Sequence, residues 1–336
     1  MTLAAASIMK PDYVPTNYQT FLLTTLLMAI HSVMASAPTR RIAQINAVGS
    51  TFNMIALFVV IILILAATDR TSRDPPLPRY SPSREVWGTI YAGTDYPGGV
   101  SVLMSFLGII WTLSGYDSAF HLSEECSNAN VASPRAIVMT SASGGFLGWL
   151  LSLVVAYTVV DISAAIASPL GQPFAAYLMQ ALPKRVALVV LALTITGGFF
   201  MGQGSMVAAS RVAFAYARDD CLPLSRVLRR VNGRTQTPVN AVLANSAIGV
   251  CLTLLILGGP YAAGAMFSIG GIAQFVAFTI PVFIRLFFVG DRFRPGPWSL
   301  GRASFPIGVV GCAFVLLMVP IMCLVCFIIY DGCTAQ

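Results

Sequence analysis

Apolar runs of about twenty residues recur along this chain, each long enough to cross the hydrocarbon core of a bilayer as an α-helix. Eight of them lie near residues 19–37, 44–67, 99–121, 137–160, 186–214, 238–258, 262–289 and 304–328. Hydrocarbon offers no partner to peptide N–H and C=O groups, so only helices and closed barrels can span it. The runs are continuous rather than alternating, which predicts helices and an all-α polytopic membrane protein. Composition agrees, with 57% hydrophobic and 10% charged residues. The fifth run is long enough to tilt, or to leave the bilayer as an amphipathic end. Met1–Tyr18 lacks the basic start and apolar core of a cleaved signal peptide.

The loops set an orientation. Arg40 and Arg41 follow the first run, Arg135 the third, Arg218 to Arg234 the fifth, and Arg292, Arg294 and Arg302 the seventh. These loops share one side, which the positive-inside rule makes cytoplasmic. Lys184 and Arg185 are the exception on the other side. The ends of residues 1–336 are then expected outside. The chain reads as a single membrane domain, with a Pro-rich, solvated extracellular loop at 69–98 and a basic cytoplasmic loop at 215–237. Gly171–Pro183 reads as a short helix on the outer surface or an ordinary loop helix. The net charge of +7 is explained by loop arginines and calls for no nucleic-acid partner. Cys251, Cys312, Cys323 and Cys326 read as small hydrophobes. His31 and His121 sit in different runs without a ligand cluster, so no metal or other cofactor is expected.

Chemistry concentrates where the third run becomes polar, at Ser114-Gly115-Tyr116-Asp117. A carboxylate at membrane depth costs about 2.5–3.5 kcal/mol, so Asp117 calls for a partner or a role. Ser114 and Gly115 weaken the helix where the charge appears. An unwound helix lining a cavity exposes backbone groups to a solute, which points to a solute carrier. Trp111 and Tyr116 offer faces for a cation, and Asp117 a charge for an amine, a protein partner or a helix cap. Glu124 and Glu125 are candidates for gating or proton coupling, alongside solvated roles. Gly202 and Ser205, among the small residues of the fifth run, are candidates to face solute; packing is the alternative. Ser268-Ile269-Gly270-Gly271, with Gln274 and Pro281 beyond, predicts a second flexible or broken helix and an outer gate. Arg211 reads as snorkelling to the inner surface, and Asp219 and Asp220 as pairing with Arg218 or Arg226.

Two ordered signatures carry a family resemblance. GYDSAFHLSEE at 115–125, with Asn128 and Ser133-Pro134-Arg135, resembles the sixth helix and following loop of fungal amino-acid permeases. ASRVAFAYARDDCLP at 209–223, with Val231-Asn232 and TPVNA at 237–241, resembles the eighth helix and 8–9 loop of the amino acid–polyamine–organocation superfamily. The subgroup it resembles is the fungal amino acid/choline transporter family, which includes GABA and choline permeases. The resemblance implies a twelve-helix fold of inverted repeats, of which the eight runs match helices 4–11. The glycine-broken first helix that holds a substrate carboxylate has no match here. By that comparison residues 1–336 read as a fragment, an alternative gene model or a degenerate copy.

Three function classes follow. The first is secondary transport of an amino acid, GABA, choline or related amine, driven by protons as the resemblance implies, in the plasma membrane or a vacuolar one. The second is a non-transporting membrane protein, a sensor or an inactive product. An intramembrane enzyme is disfavoured, because no paired carboxylates or Ser/His pair converge in the runs.

Overall fold

The computed structural model describes residues 1–10, 12–71, 76–90, 96–258 and 260–334, with side chains except at 260–268, 291 and 324–334. Asp74, Pro75 and Asp95 of the Pro-rich loop, and the side chains of Ser268 and Cys326, lie outside the described residues. The helices α1 (Thr2–Met9), α2 (Asn17–Ala35), α3 (Thr39–Ala67), α4 (Ser83–Gly88), α5 (Gly98–Leu113), α6 (Ser118–His121) and α7 (Ala129–Thr158) come first. They are followed by α8 (Ile162–Ile166), α9 (Pro173–Ala181), α10 (Lys184–Arg218), α11 (Ser225–Leu228), α12 (Val239–Thr253), α13 (Pro260–Ile284) and α14 (Ser304–Thr334). Eight helical segments among the described residues are long and apolar enough to span a membrane, and each coincides with a predicted run.

Helix starts follow local chemistry. Pro38, Pro97, Pro183 and Pro238 stand immediately before α3, α5, α10 and α12. Proline has no N–H to lose there, and a helix start leaves N–H groups unpaired in any case. α2 begins with a capping box. The Thr16 hydroxyl accepts from Gln19 N at 3.3 Å, and Gln19 Oε1 accepts from Thr16 N at 3.1 Å.

The chain divides into two compact units, Met1–Thr89 with Phe146–Leu257 and Ile90–Gly145 with Gly258–Gln336. α7 contributes to both. In the first unit α10 runs against α3, α12 and α2. Its 35 residues extend about 52 Å, well beyond a hydrocarbon core of about 30 Å. α9 packs into the protein. Ala175, Ala176, Tyr177, Leu178 and Ala181 are buried in one cluster with Ile64 of α3 and Val190 and Leu191 of α10. Its apolar residues serve a protein core rather than an outer face, and Tyr177 Oη and Thr158 Oγ1 lie 2.6 Å apart inside it. Most described residues of the 69–98 loop are exposed, and side-chain hydrogen bonds tie the loop to the helix ends beside it. Arg70, 5% exposed, donates to Ser81 Oγ at 2.7 Å and to the Tyr157 carbonyl at 3.3 Å. Tyr80 Oη donates to the Leu65 carbonyl at 2.7 Å, and Trp87 Nε1 to Tyr157 Oη at 3.1 Å.

In the second unit α13 and α14 pack along each other and α5 leans on both. Phe314 meets Phe106 at 6.3 Å and Phe275 edge-on at 6.2 Å between ring centroids. The break expected around Ser268–Gly271 is absent, since α13 is helical through it. Glycine there admits neighbours instead: a Cβ at Gly271 would lie 2.8 Å from Met322 Cε. The irregularity falls later, where a π-helical turn at Arg285–Val289 follows Pro281. A proline inside a helix removes one backbone donor, and the strand of hydrogen bonds reorganises beyond it.

Candidate functional site

The break in the third span is where the residues predict it. α5 ends at Leu113, Ser114 turns extended at φ −65° and ψ 154°, and Gly115 takes φ +94°. That conformation crowds any Cβ, so glycine is required at this turn. The chain re-enters a helix only at Ser118. The N–H groups of Gly115, Tyr116 and Asp117 find no backbone carbonyl among the described residues. Within an apolar span, these are polar groups presented to whatever occupies the break.

Asp117 stands at the first turn of α6, yet its side chain makes no capping bond. His121 Nε2 donates to Asp117 Oδ2 at 3.0 Å, one helical turn on. From α13, Gln274 Nε2 approaches Oδ1 at 3.5 Å, while Gln274 Oε1 accepts from Ser114 Oγ at 3.4 Å. A short polar chain, Ser114–Gln274–Asp117–His121, thus joins the two sides of the break to α13. The Asp117 and His121 side chains are 20% and 23% exposed, so the carboxylate is held but reachable. Trp111 lies over Gly270 and Gly271, about 4 Å from where their Cβ atoms would stand. The Tyr116 ring meets Phe278 at 6.1 Å.

The second unit therefore gathers Trp111, Ser114, Gly115, Tyr116, Asp117 and Gln274 of the predicted residues. His121 was missed as a partner, although its i,i+4 spacing from Asp117 announces the pair. Glu124 and Glu125 lie on a single 3₁₀ turn beyond α6 and are exposed. Gly202 and Ser205 belong to the first unit. His31 covers Gly202, whose Cβ would lie 2.8 Å from His31 Cε1, and Ser205 Oγ donates to the Met201 carbonyl at 3.1 Å. Arg211 does not snorkel; it is buried, 5% exposed, on the face of α10 that carries Met206, Val207 and Ser210. Nearby Gln203 is wholly buried, with neither amide atom hydrogen-bonded.

Comparison with known proteins agrees with this architecture. The amino acid permease family model matches residues 1–330. The chain belongs to the amino acid permease family. Among its relatives, a Schizosaccharomyces pombe protein named "uncharacterized amino-acid permease" is 49% identical over 325 residues, covering 96% of this chain and 59% of the relative. A Candida albicans protein named "putative polyamine transporter" is 45% identical over 325 residues, with the same two coverages of 96% and 59%. The Arabidopsis thaliana amino-acid permease BAT1 is 29% identical over 299 residues, 86% of this chain and 56% of that protein. The chain thus spans a little under three fifths of the length of these relatives. Membership and the eight apolar helices make it an integral multi-pass membrane protein of a carrier family, not an enzyme.

Proposed function

We propose that this chain forms part of a secondary transporter for a small amine or amino acid, with the cationic end of the solute bound at Asp117. The observation that carries this reading is the held carboxylate inside a helix break, with His121 at 3.0 Å on one oxygen and Gln274 at 3.5 Å on the other. Such a carboxylate is oriented before a solute arrives, which lowers the ordering cost of binding. Trp111 and Tyr116 flank the break and suit the weakly hydrated face of an amine or quaternary ammonium. The unpaired N–H groups from Gly115 to Asp117 suit a solute oxygen, as a zwitterion would supply.

GABA, choline, amino acids and polyamines all meet this description at the ammonium end. The names of relatives, among them "uncharacterized amino-acid permease" and "putative polyamine transporter", support that range. Proton coupling and a plasma-membrane location, with the vacuolar membrane as alternative, belong to the same reading and rest on the family resemblance. The test is uptake by a chimaera that carries residues 1–330 between the flanking segments of the S. pombe relative. Saturable, pH-gradient-dependent uptake of labelled spermidine, GABA, choline or lysine into liposomes is expected. A correctly inserted chimaera that moves none of them would overturn the proposal.

A further inference from the structure

One end of the first unit is strongly basic and is built rather than loose. Over 36–41 and 216–237 the sequence holds seven arginines against two aspartates. The aspartates are already engaged: Asp220 accepts twice from Arg229 Nη1, at 3.0 and 3.1 Å, and Asp219 pairs with Arg218 at 3.4 Å. Arg40, Arg41, Arg226, Arg230 and Arg234 are exposed, and no described carboxylate pairs with them. Three hydrogen bonds hold the segment in shape. Asn232 Oδ1 accepts from Arg234 N at 2.9 Å, Asn240 Nδ2 donates to the Val227 carbonyl at 2.8 Å, and Thr237 Oγ1 donates to the Ser36 carbonyl at 3.0 Å. The last of these ties the loop to the α2–α3 corner, where Arg40 and Arg41 begin α3.

Exposed apolar side chains are interleaved with the arginines. Leu224 is 75% exposed, and Tyr216, Val227 and Val231 are exposed as well. In water alone such side chains gain nothing from exposure. At the edge of a bilayer they enter the acyl boundary while the guanidinium groups meet phosphate. α10 is long and apolar enough to span a membrane and ends at Arg218, so this surface continues from the end of a candidate span.

We infer that this end of the first unit is a binding surface for the headgroups of anionic phospholipids, with Arg226, Arg230 and Arg234 as the principal contacts. Guanidinium groups match phosphate in a bidentate fork, and basic residues beside a span draw anionic lipid to them. The inference is independent of the solute site. The test is native mass spectrometry of purified residues 1–336 in detergent, titrated with dioleoyl phosphatidylserine or dioleoyl phosphatidylcholine. Phosphatidylserine should bind about tenfold more tightly than phosphatidylcholine, and Arg226→Gln/Arg230→Gln/Arg234→Gln should abolish the difference. These side chains are exposed, and unchanged circular dichroism should accompany the loss. Lys184→Gln/Arg185→Gln, at the far end of α10, should leave the preference intact. Equal binding of the two lipids by the parent, or equal loss in both variants, would overturn the assignment. Binding of glycerophosphoserine with the same affinity as the lipid would also overturn it, by assigning the arginines to a soluble phosphate.

Discussion

Asp117 shows how the place of a side chain can be legible in a sequence while one of its partners is not. Its position after Gly115 was legible because both the turn and the charge are local properties of the sequence. The His121 partnership was legible in principle from i,i+4 spacing. Gln274, 157 positions away, was not, because its reach depends on how α13 packs beside the break. Gly115 at φ +94° yields a residue-scale prediction. Gly115→Ala should lower stability by about 1–2 kcal/mol, the cost of a Cβ at positive φ, read as a lower thermal midpoint in detergent. Gln203 yields the opposite sign. Its buried amide lacks partners, and methionine has a similar unbranched shape without the polar group. Gln203→Met should be neutral or stabilise the fold by up to about 1–3 kcal/mol, read as a higher thermal midpoint in detergent. A clear drop would show that the amide is satisfied in the folded protein.

At the scale of helices, the spans were legible and their contacts were not. Hydrophobic length is a property of a contiguous stretch, so eight runs became eight spanning segments. Glycine is ambiguous, because the same missing Cβ permits a helix to break or a neighbour to approach. Gly270 and Gly271 read as a break and instead form a shelf for Trp111. Gly202, a candidate for either solute contact or packing, lies under His31, whose ring also meets Phe199 at 4.7 Å between centroids. The apolar residues of α9 cluster without a visible partner in sequence; α3 and α10 supply that partner. The Gly202 contact is testable as a pair. Gly202→Val should push α2 from α10 and cost about 1–3 kcal/mol, measured by thermal unfolding. His31→Ala in the same chain should recover a substantial part of it, giving a coupling energy above about 0.5 kcal/mol. Additive losses would show that the two side chains do not compete for one space.

For the molecule as a whole, the decisive fact is that the chain covers about 59% of the S. pombe and C. albicans relatives described above. Expressed alone, residues 1–336 should insert into membranes yet show little uptake of GABA, choline or amino acids; robust saturable uptake in liposomes would contradict this. If the Asp117 carboxylate binds the cationic end of a transported solute, as proposed, uptake depends on its charge. The direct measurement is the initial rate of uptake by the full-length chimaera and its Asp117→Asn form at matched surface abundance. Removing one partner of a desolvated charge pair costs about 2–5 kcal/mol, so the account predicts at least a tenfold loss with insertion unchanged. Equal uptake by the two forms would contradict it and would leave the backbone of Ser114–Tyr116 as the part of the break that meets the solute.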